Sequence, residues 1–203
     1  MSREAKILIA ILVVVVGGMI GLFVVANGST PDKAASLGDT HYLSTPAPWD
    51  ANTTGLKARL AAIGLTPLTA EGSVLHIHQH VDIYVHGKPI AIPSNIGIDK
   101  AGGFISDLHV HDASGVLHVE SPTNKDFTFG NFMDVWGVKF DMTHLGSYVV
   151  DSTNHLSAFV NGINVAEPRN IKLEAHQEIV LIYGTDAEVP SPVPSSYKFD
   201  AGE

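Results

Sequence analysis

From residue 74 the chain alternates apolar and polar positions. In VLHIHQHVDIYV, Leu75, Ile77, Val81, Ile83 and Val85 fall on one face and His76, His78, His80, Asp82 and Tyr84 on the other, the period-two pattern of a half-buried strand. His86-Gly87 then supplies a two-residue hairpin turn into KPIAIP, with Gly ideal for positive φ and His more tolerant of it than most residues. LHVH and VLHVE form a second alternating pair, joined by the turn signal Asp112-Ala113-Ser114-Gly115. A four-residue loop there sets His109 opposite His118 and His111 opposite Val116. His109, His111 and His118 then share one face, with Glu120 on the same parity.

The period next changes. TFGNFMDVWG places Phe129, Phe132, Met133 and Trp136 on one stripe, with Thr128 to cap the start and Gly137 to end it, and predicts a helix. HLSAFVNGINVAE predicts a hairpin through Asn161-Gly162, and EIVLIYG (178–184) a strand buried on both faces. Strands, a helix and strands again give an α+β domain, mainly β, over residues 69–186. Upstream, Leu56, Leu60 and Ile63 recur at helical spacing, so 51–68 hold a short docking helix that Thr53 or Thr54 can cap and Gly64 can end. Residues 27–50, rich in Ser, Thr, Pro, Gly and Asp, read as a flexible stalk. Residues 187–203 read as an extended, Pro-rich tail that Tyr197 and Phe199 can anchor.

Residues 7–26 are twenty apolar or Gly residues, enough for a helix to cross the ~30 Å hydrocarbon layer. Arg3 and Lys6 precede this run and no basic cluster follows, which orients the N-terminus to the cytoplasm and the domain outside the cell membrane. The alternative is secretion after cleavage near Ala26. Without Arg3, Lys6 and Glu4, the 12 basic and 21 acidic residues fall to 10 and 20, a net charge of −10. That sign disfavours nucleic acid and anionic lipid and favours cations as partners. There is no cysteine, which excludes disulfides, thiolate nucleophiles and every thiolate metal site. The chain has no G-x-S-x-G, no phosphate-cradling loop and no H-E-x-x-H.

The 11 histidines nearly equal the 12 Lys plus Arg. His-x-His on a strand puts two imidazoles on one face, where an ion ~2.0–2.1 Å from each nitrogen can bridge them and a neighbouring strand can add a third. The candidate ligands are His76, His78, His80, His109, His111 and His118. His78 and His80 are expected to converge with the second set, with His76, near the strand start, at the margin of the site. Imidazole donors without thiolate point to Cu(II) or Zn, with Asp82, Asp107, Asp112 and Glu120 as carboxylates that can orient the rings. Release is expected as pH falls through the ordinary imidazole range near ~6.5. The competing reading is a solvated polar face. His41, His86, His155 and His176 fit stalk, turn, strand start and turn, and His144 near Met142 is a peripheral contact at most.

The ordered array LHIHQHVDIYVHGKPIAIP, LHVHDASGVLHVESP, FTFGNFMDVWGV, FVNG, EIVLIYG and PSSYKF resembles an uncharacterised family of bacterial membrane-anchored or secreted His-rich proteins, over roughly residues 55–200. The resemblance implies an extracytoplasmic setting and no particular activity. Residues 118–184 also look like a β-grasp layout of the ubiquitin and sulfur-carrier kind. The chain runs past Gly184 into TDAEVP instead of ending in Gly-Gly, so only the fold is implied. Three functions are open: a tethered protein that sequesters or delivers copper or zinc, a His-ligated metalloenzyme in which Glu120 assists as a base, and a surface adhesion or structural module stapled by metal.

Overall fold

The long alternating segment becomes the axis of the molecule. β1 (Leu75–Val85) lies in a seven-stranded mixed sheet. The computed structural model describes residues 41–203. The expected membrane span at 7–26 lies outside the described residues, as does the first part of the stalk. Among the described residues no helix is long and apolar enough to cross a membrane.

Along the chain, α1 (Leu56–Ala62) precedes β1, β2 (Lys88–Ile90), β3 (Ile98–Asp99), β4 (Phe104–Ile105), β5 (Leu108–His109) and β6 (Val116–Ser121). After α2 (Phe129–Trp136) come β7 (His144–Leu145), β8 (Tyr148–Val149), β9 (His155–Val160), β10 (Ile163–Val165) and β11 (Glu178–Gly184). The sheet runs β10-β9-β11-β1-β6-β5, with β2 also paired to β1. One edge of β1 is divided: its first half, Leu75–His80, pairs antiparallel with β6, and Ile83–Val85 pair with β2. On the other edge His80–Val85 run parallel to β11. Among the described residues the fold is therefore α+β and mainly β, with two α-helices.

The turns form where turn chemistry lies. His86 and Asn161 have φ of 49° and 51°, followed by Gly87 at 70° and Gly162 at 79°, as two-residue hairpins require. β11 is buried along its whole length. α1 departs from expectation at its start: Gly55, with φ 72°, occupies the cap position in place of Thr53 or Thr54, and no side chain caps the helix. Residues 41–50 are not a free stalk. Leu43 bridges to Val138, and Trp49 is buried with its ring edge-on to Trp136, centroids 5.9 Å apart.

α2 begins as expected, with Asn131 N donating to Thr128 Oγ1 and Thr128 N to the Asn131 side chain. Phe129, Phe132, Met133 and Trp136 are all buried in the core with Val81, Ile83, Leu117, Val119, Ile179 and Leu181. Trp136 also donates its indole N–H to Asp50 O at 3.1 Å. Trp136→Ala is expected to cost about 3–5 kcal/mol of unfolding free energy in a urea titration. A loss within about half a kcal/mol would show that this ring is not a core anchor.

Candidate metal centre

Strand register builds the site. His78 lies opposite His118, and His118 opposite His109, so three imidazoles form one row across β1, β6 and β5. One step along, His76 faces Glu120. The second hairpin has the expected His109–His118 register, but the ladder stops there. Val110 leaves β6 to donate to Ile96 O at 3.0 Å, and Val116 pairs instead with His80. The loop is held by Ser114 N donating to Asp112 Oδ1 at 2.8 Å, so Asp112 serves the turn. Gly115, with φ 89°, is required there: a Cβ would come 2.9 Å from His80 Nε2.

Five of the six candidate histidines converge. Nε2 of His109 is 3.1 Å from Nε2 of His111, and Nε2 of His76 is 3.2 Å from Nε2 of His78. The His118 ring lies between them, with centroids 4.5 Å from both His78 and His111. Donors ~2.0–2.1 Å from a tetrahedral ion are about 3.3 Å apart, so these contacts have the length of a coordination edge. Glu120 Oε1 is 3.2 Å from both His76 Nε2 and His118 Nδ1, and its Oε2 is 3.9 Å from His109 Nε2. Two groups of ligand atoms within 4.8 Å of one another result: His76, His78, His118 and Glu120, and His109, His111, His118 and Glu120. Either can hold a metal ion.

Burial weighs against the polar-surface account at two positions, since His109 is 0% exposed and His78 4%. His109 Nδ1–H donates to Ser106 O at 3.0 Å, which fixes the tautomer and leaves the Nε2 lone pair facing His111. Burial, and then the adjacent His118 and His76, push the His78 imidazole down to about 4. Burial outweighs the Ser106 hydrogen bond and takes His109 to about 3, and burial with His111 takes His118 to about 4. These three rings are therefore neutral at pH 7, as ligands must be. Burial, with Glu71 beside it, raises the Glu120 carboxyl.

His80 stands apart from the five. Its Nδ1 is 2.9 Å from Glu178 Oε2 and its Nε2 3.0 Å from Ser114 O. Both neighbours are acceptors, so both ring nitrogens must carry protons. Burial opposes that charge, but the hydrogen bond and charge of Glu178, with Asp82, prevail and raise the pKa. Tyr197 stacks on this ring at 3.9 Å and 5°. His80, Asp82 and Glu178 form a third group of closely spaced donors, which an ion could enter only by displacing a ring proton. His76, expected at the margin of the site, belongs to the cluster.

Two carboxylates complete the picture without having been singled out. Glu178 reaches His80 only through the parallel β1–β11 pairing, and Glu71, in an irregular loop, comes 3.4 Å from His111 Nε2. Neither position has a periodic signal. His176 lies closer to the site than its turn position suggests, since its N donates to His78 O at 2.7 Å and its ring packs on Phe199. His144 binds Asp141 instead. No protein-family model, no curated protein and no solved structure matches the chain.

Proposed function

We propose that the chain is a membrane-tethered, extracytoplasmic protein that binds copper or zinc through strand-borne histidines and sequesters or delivers the ion. One observation carries this reading: four imidazoles on three adjacent strands and His111 in the loop after β5 converge, with ring nitrogens 3.1–3.2 Å apart in the His76–His78 and His109–His111 pairs and the His118 ring between them, and the innermost, His109, is buried and held in its ligating tautomer by Ser106 O. The donor set of imidazoles and carboxylate, with no cysteine in the chain, suits Cu(II) and Zn. The order β2-β1-β11-β9-β10 with α2 between the hairpins supports a β-grasp scaffold. On it β3 to β6 form an insertion between the first hairpin and the helix, and β5 and β6 carry the second His set. The tether, the orientation and membership of the bacterial His-rich family rest on the sequence patterns alone.

A second reading, a metalloenzyme that activates bound water, is favoured by the rim. Side chains of His76, His111 and Glu71 are 51%, 41% and 50% exposed, so small molecules can reach the ligands, and Glu71 can act as a base there.

The full chain, purified without a tag from unsupplemented cells, is expected to contain copper or zinc by elemental analysis. His109→Gln with His111→Gln should abolish stoichiometric binding while circular dichroism stays unchanged. His86→Gln with His155→Gln, at the hairpin turn and the exposed start of β9, should retain it. Equal losses from the two pairs would reduce the His face to a polar surface.

A further inference from the structure

An ion bonded at ~2.0–2.1 Å can draw its donors from no more than about 4.2 Å apart. The His face offers two donor groups, each within 4.8 Å, and not one group of six. His76 and His78 belong only to the first, His109 and His111 only to the second, and His118 and Glu120 to both. The Glu120 carboxylate is oriented accordingly. Its Oε1 faces His76 Nε2 and His118 Nδ1, both at 3.2 Å, while its Oε2 is directed to His109 Nε2 at 3.9 Å.

We infer that the face holds two transition-metal ions bridged by Glu120, one on His76, His78, His118 and Oε1, the other on His109, His111, Glu71 and Oε2. Each ion then has four donors, the usual number for zinc. His118 goes to the first ion because its Nδ1 approaches Oε1. Glu71 goes to the second because its Oε1 lies 3.4 Å from His111 Nε2. The assignment also accounts for a buried carboxylate, Glu120, lying near the exposed Glu71 in a domain whose net charge is already strongly negative. Two divalent ions and two carboxylates leave the pocket cationic, whereas the carboxylates alone repel each other. Carboxylate-bridged ions lie roughly 3.5–4 Å apart, close enough for two Cu(II) spins to couple.

This inference rests on the metal-binding reading, and stoichiometry separates their failures. The full chain is titrated with Zn(II) alone and with Cu(II) alone, dialysed, and its metal counted per chain. Two ions are expected, with a Cu(II) paramagnetic resonance signal integrating to well below the copper content. Glu120→Gln should restore the full signal of whatever copper remains. Glu71→Gln, at the exposed rim where folding is least at risk, should lower the zinc count from two to one, and His155→Gln should leave it at two. One ion per wild-type chain would overturn the two-ion centre and leave the metal-binding reading standing. No ion would overturn both. Two ions with an undiminished copper signal, or two ions retained by Glu71→Gln, would overturn the bridge or the ligand assignment.

Discussion

At pH 5.5 the loaded protein is expected to keep its metal. An ordinary histidine site loses half its ligands to protons near ~6.5, and the sequence alone points to release there. Burial and mutual repulsion instead hold His78, His109 and His118 at about 4, 3 and 4. Protons compete for a ligand only near its own pKa, so these three donors stay available down to roughly pH 4–5. The same shifts set the acid stability of the metal-free domain. Each ring has a lower pKa folded than unfolded, so between about 3 and 6.5 the unfolded chain binds more protons and stability rises with pH. The contribution is complete above ~6.5 and falls as pH drops, by about 1.4 kcal/mol per pH unit for each ring. Equilibrium dialysis against a chelator across pH 3–7, beside urea unfolding of the metal-free chain, checks both. A release midpoint at pH 6 or above would show that these rings are not the ligands.

Arg59→Met is expected to damage the fold as severely as loss of the Trp136 ring. The guanidinium is fully buried and donates to five carbonyls: Asp134 at 2.8 Å, Val135 at 3.2 Å, Thr54 at 2.6 Å, His41 at 3.2 Å, and Asn52. Asp134 and Val135 belong to the last turn of α2, whose carbonyls have no partner within the helix. Arg59 thus caps α2 and ties it to the segment before α1. Burial lowers its pKa to about 10 against the pull of Tyr42 and Asp134, so it remains charged at pH 7. Methionine keeps much of the stem volume but strands these acceptors. Removing one member of a buried charged network costs about 3–5 kcal/mol, a large part of the ~5–15 kcal/mol by which a domain is stable. Gly137 belongs to the same device: its φ is 80°, and a Cβ would fall 2.6 Å from Arg59 Cζ. A urea midpoint that shifts by less than the equivalent of about 1 kcal/mol would remove Arg59 from this role.

The features readable from the sequence are those whose partners lie nearby. Period-two patterning put the histidines on one face, and turn chemistry set His109 against His118, because a hairpin fixes register over a few residues. The helix stripe and its Thr128 cap were legible for the same reason. His80 parts from the other five because parity says which face a residue occupies and nothing of what crosses that face. Glu178, 98 residues on, and the tail with Tyr197 decide its chemistry. Glu71 sits in a loop that only tertiary packing delivers to His111. Residues 41–50 looked like linker by composition, yet their few apolar side chains, Leu43 and Trp49 among them, are enough to dock them.

The divided edge of β1 separates two histories within one strand. Its first half joins the hairpin that carries His109, His111, His118 and Glu120, and all proposed ligands lie between residues 71 and 120. The opposite edge, along His80–Val85, waits for β11, whose pairing of His80 with Glu178 closes a far longer loop. Loop-closure entropy grows with the length enclosed, and distant strand pairings are the slow ones. As the chain emerges, N-terminus first, every donor of the metal centre is therefore available before the strand that completes the sheet has been made.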